Sequence, residues 1–315
     1  MTCLLILAFF GTLLPHVSGS VGDQSLGFQN CLSACLRQNC SGDALANFHS
    51  RQALILRLTW WSCREECQYD CMWHSVNHFL TEGKPTPQYY GKWPFVRFLG
   101  LQEPASVLFS LLNLASFYYV NTVVREIPSG TALRQVWLGY SWVGMHAWVW
   151  SAIFHGRDTE LTEKMDYFCA FSAVCWCLYS CICRVFLPGR RVWLRRAVAV
   201  PFLAFYLFHI YYLGVVHFSY SYNMKVNVMV GALSSVLWVA FCMVKMAVYR
   251  NFYVWSCLFV VLTADGLLML ELGDFPPLFW CFDAHSLWHL GTAPLPLFWA
   301  HFVRNDLMFL HEKVQ

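Results

Sequence analysis

From about Leu99 onward, the chain alternates long apolar runs with short polar breaks. Each run is close to the ~20 residues that a helix needs to cross the hydrocarbon core of a bilayer. A composition of 58% hydrophobic and 12% charged residues excludes a soluble domain of this size. We therefore predict an all-α fold, a seven-transmembrane helix bundle with a small disulfide-rich lumenal N-terminal domain. The predicted spans are 103–121, 135–155, 166–187, 197–216, 226–246, 252–271 and 284–303.

The first 20 residues hold an apolar stretch too short to span a bilayer, followed by small residues. This pattern is typical of a cleavable signal peptide, although the segment has no Lys or Arg before the apolar stretch. A retained anchor is the alternative. The predicted domains are then a signal peptide at 1–20, a lumenal cysteine-rich domain at 21–100, a membrane domain at 101–303 and a cytosolic tail at 304–315.

Six cysteines fall within the polar region that follows: Cys31, Cys35, Cys40, Cys63, Cys67 and Cys71. An even number of cysteines in a secreted segment predicts three disulfides, with the pairing left open. The spacings put each cluster of three on about one helical face, which fits two helices stapled side by side. A zinc site is the competing interpretation. Asn39 begins an N-glycosylation sequon, which would compete with a disulfide at Cys40.

The distribution of cations orients the spans. With the cysteine-rich region in the lumen, only Arg157, Lys164 and Lys225 fall in short lumenal loops. Eleven cations fall on the cytosolic side: Arg125, Arg134, Arg184, Arg190, Arg191, Arg195, Arg196, Lys245, Arg250, Arg304 and Lys313. This strong positive-inside bias agrees with the signal-peptide and disulfide arguments.

That topology brings polar residues from distant spans to one lumenal depth. Ser151 and His155 share a helix face at the end of the second span, and His285 and His289 repeat the spacing at the start of the seventh. Three imidazoles with an open fourth position are typical of a catalytic zinc site, where the metal activates water and polarises a carbonyl group. Asp166 would orient or deprotonate that water, and Ser151 would hydrogen-bond the water or an oxyanion.

The same residues have plainer interpretations. Histidines in membrane proteins often only form a hydrogen bond to a neighbouring helix, and an H-x3-H spacing also arises by chance. His74 and His78 have that spacing in the disulfide region, and His146 faces away from His155. His209 is expected to be a packing residue. His217 is the most credible spare ligand.

The pattern of Ser151, His155, Asp166 and then His285 with His289 resembles the CREST superfamily of seven-helix membrane hydrolases. Longer segments, including FHGRDTELTEKMDYFCA and LELGDFPPLFW with DAHSLWH, resemble its family of GPI-specific phospholipase A2-like proteins. The resemblance covers essentially the whole mature chain. It implies that His155, His285 and His289 bind Zn²⁺ and that Asp166 and Ser151 complete the site.

The resemblance also implies removal of the sn-2 acyl chain from the phosphatidylinositol of GPI-anchored proteins. The expected substrates are GPI-anchored proteins and their lipid, in the Golgi membrane or alternatively the endoplasmic reticulum. Nothing in the sequence indicates a nucleic-acid partner. Two alternatives stay open: a ceramidase-like amidase, because the five site residues do not separate esters from amides, and a non-catalytic seven-helix lipid receptor or chaperone.

Overall fold

A computed structural model describes residues 20–189 and 191–312. The signal-peptide prediction and the cations Arg190 and Lys313 lie outside these residues. Within them the chain is helical and has no strand, only three isolated bridges in turns. The chain divides into two compact units, 1–95 and 96–315. The division lies slightly before the predicted boundary at residue 100.

The first unit consists of short helices held by disulfides. Its helices are α1 Val21–Gln24, α2 Leu26–Asn39, α3 Asp43–Arg51, α4 Leu54–Leu58 and α5 Cys63–Thr81. A capping box between Ser62 and Glu65 starts α5. The disulfides are Cys31–Cys71, Cys35–Cys67 and Cys40–Cys63, which is a nested order between α2 and α5. The predicted pair of stapled helices is confirmed.

The second unit contains eight α-helices within its described residues. They are α6 Pro104–Glu126, α7 Arg134–Gly156, α8 Glu160–Phe186, α9 Val192–Tyr211, α10 Tyr220–Ala247, α11 Trp255–Leu272, α12 Ala284–Thr292 and α13 Leu295–Glu312. A π-helical turn, Tyr212–Val216, extends α9, and a short 3₁₀ turn, Phe252–Val254, precedes α11. Asp283 caps α12 by accepting a hydrogen bond from the Ser286 amide at 2.8 Å.

Within residues 20–189 and 191–312, five helical segments are long and apolar enough to cross a membrane: Pro104–Glu126, Glu160–Phe186, Val192–Val216, Tyr220–Ala247 and Phe252–Leu272. They coincide with five of the predicted spans. The second predicted span forms the 23-residue helix α7, whose Trp, Tyr, His and Gly residues lower its hydropathy. The seventh predicted span is broken at Ala293 and Pro294 into α12 and α13, because Pro294 cannot continue the backbone hydrogen bonding of α12. The count of seven spans stays a prediction.

Glycines let α7 lie close to both of its neighbours. A Cβ at Gly144 would overlap the ring of Phe117 on α6, and one at Gly139 would overlap Trp176 on α8. Small residues at a helix contact allow this close approach in membrane bundles. The first half of α7, the helix that ends at His155 and Gly156, is thereby held close to α6 and α8.

Arg184 and Asp306 form an ion pair inside the bundle, between α8 and α13. Two hydrogen bonds of 2.5 and 2.6 Å join the guanidinium to the carboxylate, and both residues are almost fully buried. The Tyr253 hydroxyl donates to the same carboxylate at 2.8 Å. Arg184 was one of the eleven cations counted for the positive-inside bias. Its charge is instead neutralised within the protein, so this residue adds little to the bias.

Candidate metal centre

The three predicted histidines lie at the ends of two helices. His155 is the last residue but one of α7, and His285 and His289 occupy the first two turns of α12. The four-residue spacing of His285 and His289 places both rings on one face of α12. His155 and His289 are each only 2% exposed, whereas the side chain of His285 is 34% exposed.

The three rings approach one another through their Nε2 atoms. His285 Nε2 lies 3.2 Å from His155 Nε2 and 2.7 Å from His289 Nε2. One nitrogen from each histidine belongs to a group whose ligand atoms all lie within 4.8 Å of one another. Asp166 is not part of this group. The predicted convergence of His155, His285 and His289 is therefore present in the structure.

A different acceptor holds the far side of each ring. His155 Nδ1 lies 2.6 Å from Glu103 Oε2, and His285 Nδ1 lies 2.5 Å from Glu271 Oε2. His289 Nδ1 lies 3.2 Å from Ser110 Oγ. A carboxylate can only accept, so Nδ1 of His155 and of His285 must each carry the proton.

This arrangement fits a divalent metal ion. A neutral imidazole with its proton on Nδ1 presents an Nε2 lone pair, and two such acceptors that face each other repel. A cation between the rings removes that repulsion, and metal-bound histidines usually donate their other ring N–H to a carboxylate or similar acceptor. Three imidazoles with a more open side at His285 match a site that keeps a free coordination position.

Ser151 lies behind His289 rather than between the rings. Its hydroxyl is 3.1 Å from Ser110 Oγ, and Ser110 in turn reaches both His289 Nδ1 and the Ser106 carbonyl oxygen, the latter at 2.7 Å. Ser151 is buried at 6% exposure. In this structure the hydroxyl acts on the histidine through Ser110, on the side away from the converging Nε2 atoms.

Asp166 lies in the second turn of α8 and is half-buried. It shares the polar start of α8 with Glu163, whose carboxylate accepts a hydrogen bond from Tyr167 at 3.4 Å. The structure thus places Asp166 on a third helix, next in the chain after the end of α7 that carries His155. Its role in proton transfer stays a prediction.

The other histidines have separate environments. His146 accepts a hydrogen bond from Trp150 and faces outward, and His78 pairs with Glu82 at 3.3 Å on the surface of the first unit. His209 is buried with Nε2 3.2 Å from Asn223 Oδ1, while its Nδ1 has no partner among the described residues. His74 and His217 are not part of the three-histidine group.

The cysteine cluster is not a second metal centre. Cys40, Cys63 and Cys67 have sulfur atoms within 4.8 Å of one another. All three are in disulfides, and a metal would need their thiolates. The alternative zinc interpretation of the cysteine-rich region is therefore wrong for this oxidised form.

Sequence reasoning missed Glu103, Glu271 and Ser110. Glu103 is the residue before α6, and its backbone N–H donates to the His155 carbonyl at 3.0 Å, which joins the start of α6 to the end of α7. Glu271 lies next to last in α11. The available signal was a glutamate at the end of an apolar span, since charged residues at membrane depth are functional candidates by default.

Comparison with known proteins identifies the family. Residues 53–307 match the Per1-like family. The chain is 42% identical over 299 residues to the GPI-specific phospholipase A2-like PGAP3 of Bos taurus, covering 93% of this chain and 91% of that protein. The Homo sapiens protein of the same name gives the same identity and coverage. Post-GPI attachment to proteins factor 3 of Drosophila melanogaster is 40% identical over 297 residues, with 92% and 90% covered. No solved structure matches significantly. The chain belongs to the Per1-like family.

Proposed function

We propose that this protein hydrolyses the sn-2 acyl ester of the phosphatidylinositol of GPI-anchored proteins, at the three-histidine centre. The observation that carries the proposal is the convergence of one ring nitrogen from each of the three histidines within 4.8 Å. Their outer nitrogens are held by Glu103, Glu271 and Ser110. The substrate class comes from the names of the relatives, which are described as GPI-specific phospholipase A2-like.

The position of the site in the helices suits a lipid ester. His155 ends α7 and His285 begins α12, so the centre lies at helix ends rather than at mid-span. Ester carbonyls of a phospholipid lie at this level, just below the headgroups. The more exposed ring of His285 marks the side from which a lipid would approach, because His155 and His289 are buried.

The donor set favours zinc over an alkaline-earth ion. Imidazole nitrogens suit zinc and other transition metals, whereas Ca²⁺ and Mg²⁺ prefer oxygen ligands. A metal held there would supply Lewis-acid polarisation of the carbonyl and would activate a water molecule. The chain's own residues orient the three imidazole rings. Glu103 and Glu271 fix the tautomers of His155 and His285, and Ser110 orients His289.

The reaction adds water across one bond. The water oxygen attacks the sn-2 carbonyl carbon, the bond from that carbon to the glycerol oxygen breaks, and the glycerol oxygen takes up a proton. Asp166 is assigned the transfer of that proton, and Ser151 the positioning of His289 through Ser110. The products are a free fatty acid and a lyso-GPI lipid. We place this reaction on the lumenal side of the Golgi membrane, or of the endoplasmic reticulum, following the predicted topology.

Two other functions make different predictions from the same site. A ceramidase-like amidase would cleave the amide of ceramide. A lipid receptor or chaperone would bind metal and lipid and release no fatty acid.

The test is fatty-acid release by the purified, zinc-loaded protein in bilayers that contain a GPI lipid, ceramide or plain phosphatidylinositol. We expect release from the GPI lipid alone, and none from His155→Ala. His146→Ala is the matched control, because it removes a histidine from the outward face of the same helix. Release from ceramide, or equal release from His155→Ala, would contradict the proposal.

A further inference from the structure

Two tight turns in the second unit carry large apolar side chains that are exposed in the part of the chain that the structure describes. The first turn is closed by the bridge between Phe98 and Leu101, and the second by the bridge between Leu278 and Phe282. The side chains at their tips have exposures of 62% for Phe98, 64% for Leu99, 54% for Leu278 and 88% for Phe279. We call these four side chains the apolar lip.

The two turns form one structure. The Val96 amide donates to the Trp280 carbonyl at 2.9 Å, which joins the segment leading into the first turn to the tip of the second. Phe282 stacks against Phe109 of α6, with ring centroids 6.3 Å apart. The tips are therefore held together and fixed on the helix bundle.

Bulky residues at these tips adopt a strained backbone conformation. Leu99, Phe279 and Trp280 have positive φ angles of 50°, 53° and 58°. Such angles favour glycine or asparagine and are unusual for large side chains. Residues with strained backbone conformations cluster at functional sites. A large aromatic side chain exposed to water would gain nothing that offsets this strain.

The lip adjoins the metal centre through the backbone. After the first turn, Gln102 and Glu103 donate their backbone N–H groups to the carbonyls of Gly156 and His155, both at 3.0 Å. The second turn ends directly before Asp283, the cap of the helix that begins with His285 and His289. Both turns thus lead within a few residues to groups of the three-histidine site.

We infer that the apolar lip inserts into the leaflet next to the metal centre and holds the mouth of the site at the depth of the lipid ester. The occupant of this surface is the lipid bilayer itself. The lip is continuous with the candidate spans, since the first turn leads into Pro104–Glu126 and the second follows Phe252–Leu272. Its tips carry no charge, and aromatic side chains favour the boundary between lipid and water.

The depth of the lip can be measured without any assay of activity. A nitroxide attached at Phe279→Cys in the full chain, in phosphatidylcholine vesicles, should collide with oxygen more than with a water-soluble nickel chelate. Glu160→Cys is the matched control, because its side chain is 83% exposed at the polar start of α8. It should show the opposite preference. The unsubstituted protein, labelled in parallel, sets the background from the native free cysteines. Equal accessibility at positions 279 and 160 would overturn the inference.

A second measurement concerns substrate presentation and rests on the proposed function. We expect Leu99→Ser with Phe279→Ser to lower release from a bilayer-embedded GPI lipid about tenfold, because the lip would lose its apolar anchorage. Hydrolysis of a short-chain, water-soluble GPI analogue should be unchanged. Leu58→Ser with Trp60→Ser is the control, since these residues are 64% and 83% exposed in the first unit.

The two arms separate the failure of the inference from the failure of the function. Equal loss on both substrates, or no loss on either, contradicts the role of the lip. If the unsubstituted protein releases no fatty acid from either substrate, the proposed function fails, and the nitroxide measurement still decides whether the lip lies in the bilayer.

Discussion

At the scale of single residues, the two carboxylates behind the histidines should control metal affinity. Glu271→Gln keeps an acceptor for His285 Nδ1 but removes the charge that strengthens the 2.5 Å contact. We expect zinc affinity to fall about 10- to 100-fold, the usual effect of losing such an outer partner. Competition with a chromophoric chelator measures this. Glu126→Gln, at the exposed far end of α6, should bind zinc as the unsubstituted protein does.

Substitutions of Ser151 and Asp166 should have different effects on zinc binding and on the rate of hydrolysis. Because Ser151 contacts Ser110 and not the converging nitrogens, Ser151→Ala should weaken zinc binding, and saturating zinc should restore the rate. Asp166→Asn should bind zinc normally and hydrolyse the lipid slowly even when zinc saturates the site. The comparison needs zinc titrations of both variants with fatty-acid release as the readout. A Ser151→Ala rate that saturating zinc does not restore would assign Ser151 to the chemistry itself.

The histidines could be found from sequence, and their partners could not. His285 and His289 share a helix face by spacing alone, and the alternation of spans puts His155 at the same depth. Glu103 is 52 residues from His155, and Glu271 is 14 residues from His285 across a proline-containing loop. No pattern in the neighbouring sequence predicts these pairs. A glutamate at the end of a span is equally consistent with a solvent-exposed residue at the helix terminus.

At the scale of the helices, α7 depends on its glycines. Gly144→Val would force a side chain into Phe117 of α6 and separate α6, which Glu103 precedes, from α7, which carries His155. Overpacking of this kind costs about 1–3 kcal/mol. We expect a lower unfolding temperature and weaker zinc binding. Gly231→Val on α10, where a Cβ would meet nothing within 4 Å, is the control and should change neither.

The buried ion pair is a second element-scale feature. Asp306→Ala would leave the Arg184 guanidinium buried without its carboxylate, which costs about 3–5 kcal/mol. The double replacement Arg184→Met with Asp306→Leu removes both charges and should be less destabilising than Asp306→Ala alone. Thermal unfolding of the three proteins in one detergent decides this. A double variant less stable than the single one would show that the pair itself holds α8 to α13.

The break at Pro294 shows why apolar content alone predicted one long helix where the structure has two. Apolar residues predominate through 284–303, so composition favours one span. The structure ends α12 at Thr292 and begins α13 at Leu295, which leaves His285 and His289 on a short helix of their own. For α7 the opposite holds: its length and position were predicted, although its aromatic residues keep its hydropathy below that of the five clear spans.

At the scale of the whole molecule, the main prediction is the orientation of the chain in the membrane. The positive-inside pattern predicts that the first unit and the metal centre face the lumen. Asn39 is half-buried at the end of α2, and its neighbour Cys40 is bonded to Cys63. If the sequon is used, a glycosidase should increase the gel mobility of the protein, and Asn39→Gln should remove that shift.

A second measurement of topology does not depend on glycan attachment. A protease added to sealed microsomes should cleave a tag placed after the last residue and spare the first unit. Cleavage of the first unit in sealed vesicles would reverse the predicted orientation.

The central claim is that a metal ion at His155, His285 and His289 is needed for release of the fatty acid. The most direct measurement titrates zinc into the chelator-treated protein while following fatty-acid release from a GPI lipid in bilayers. The rate should rise from baseline and level off at one zinc per chain, and His289→Ala should stay at baseline throughout. Full release from protein that mass spectrometry shows to be free of metal would contradict the account.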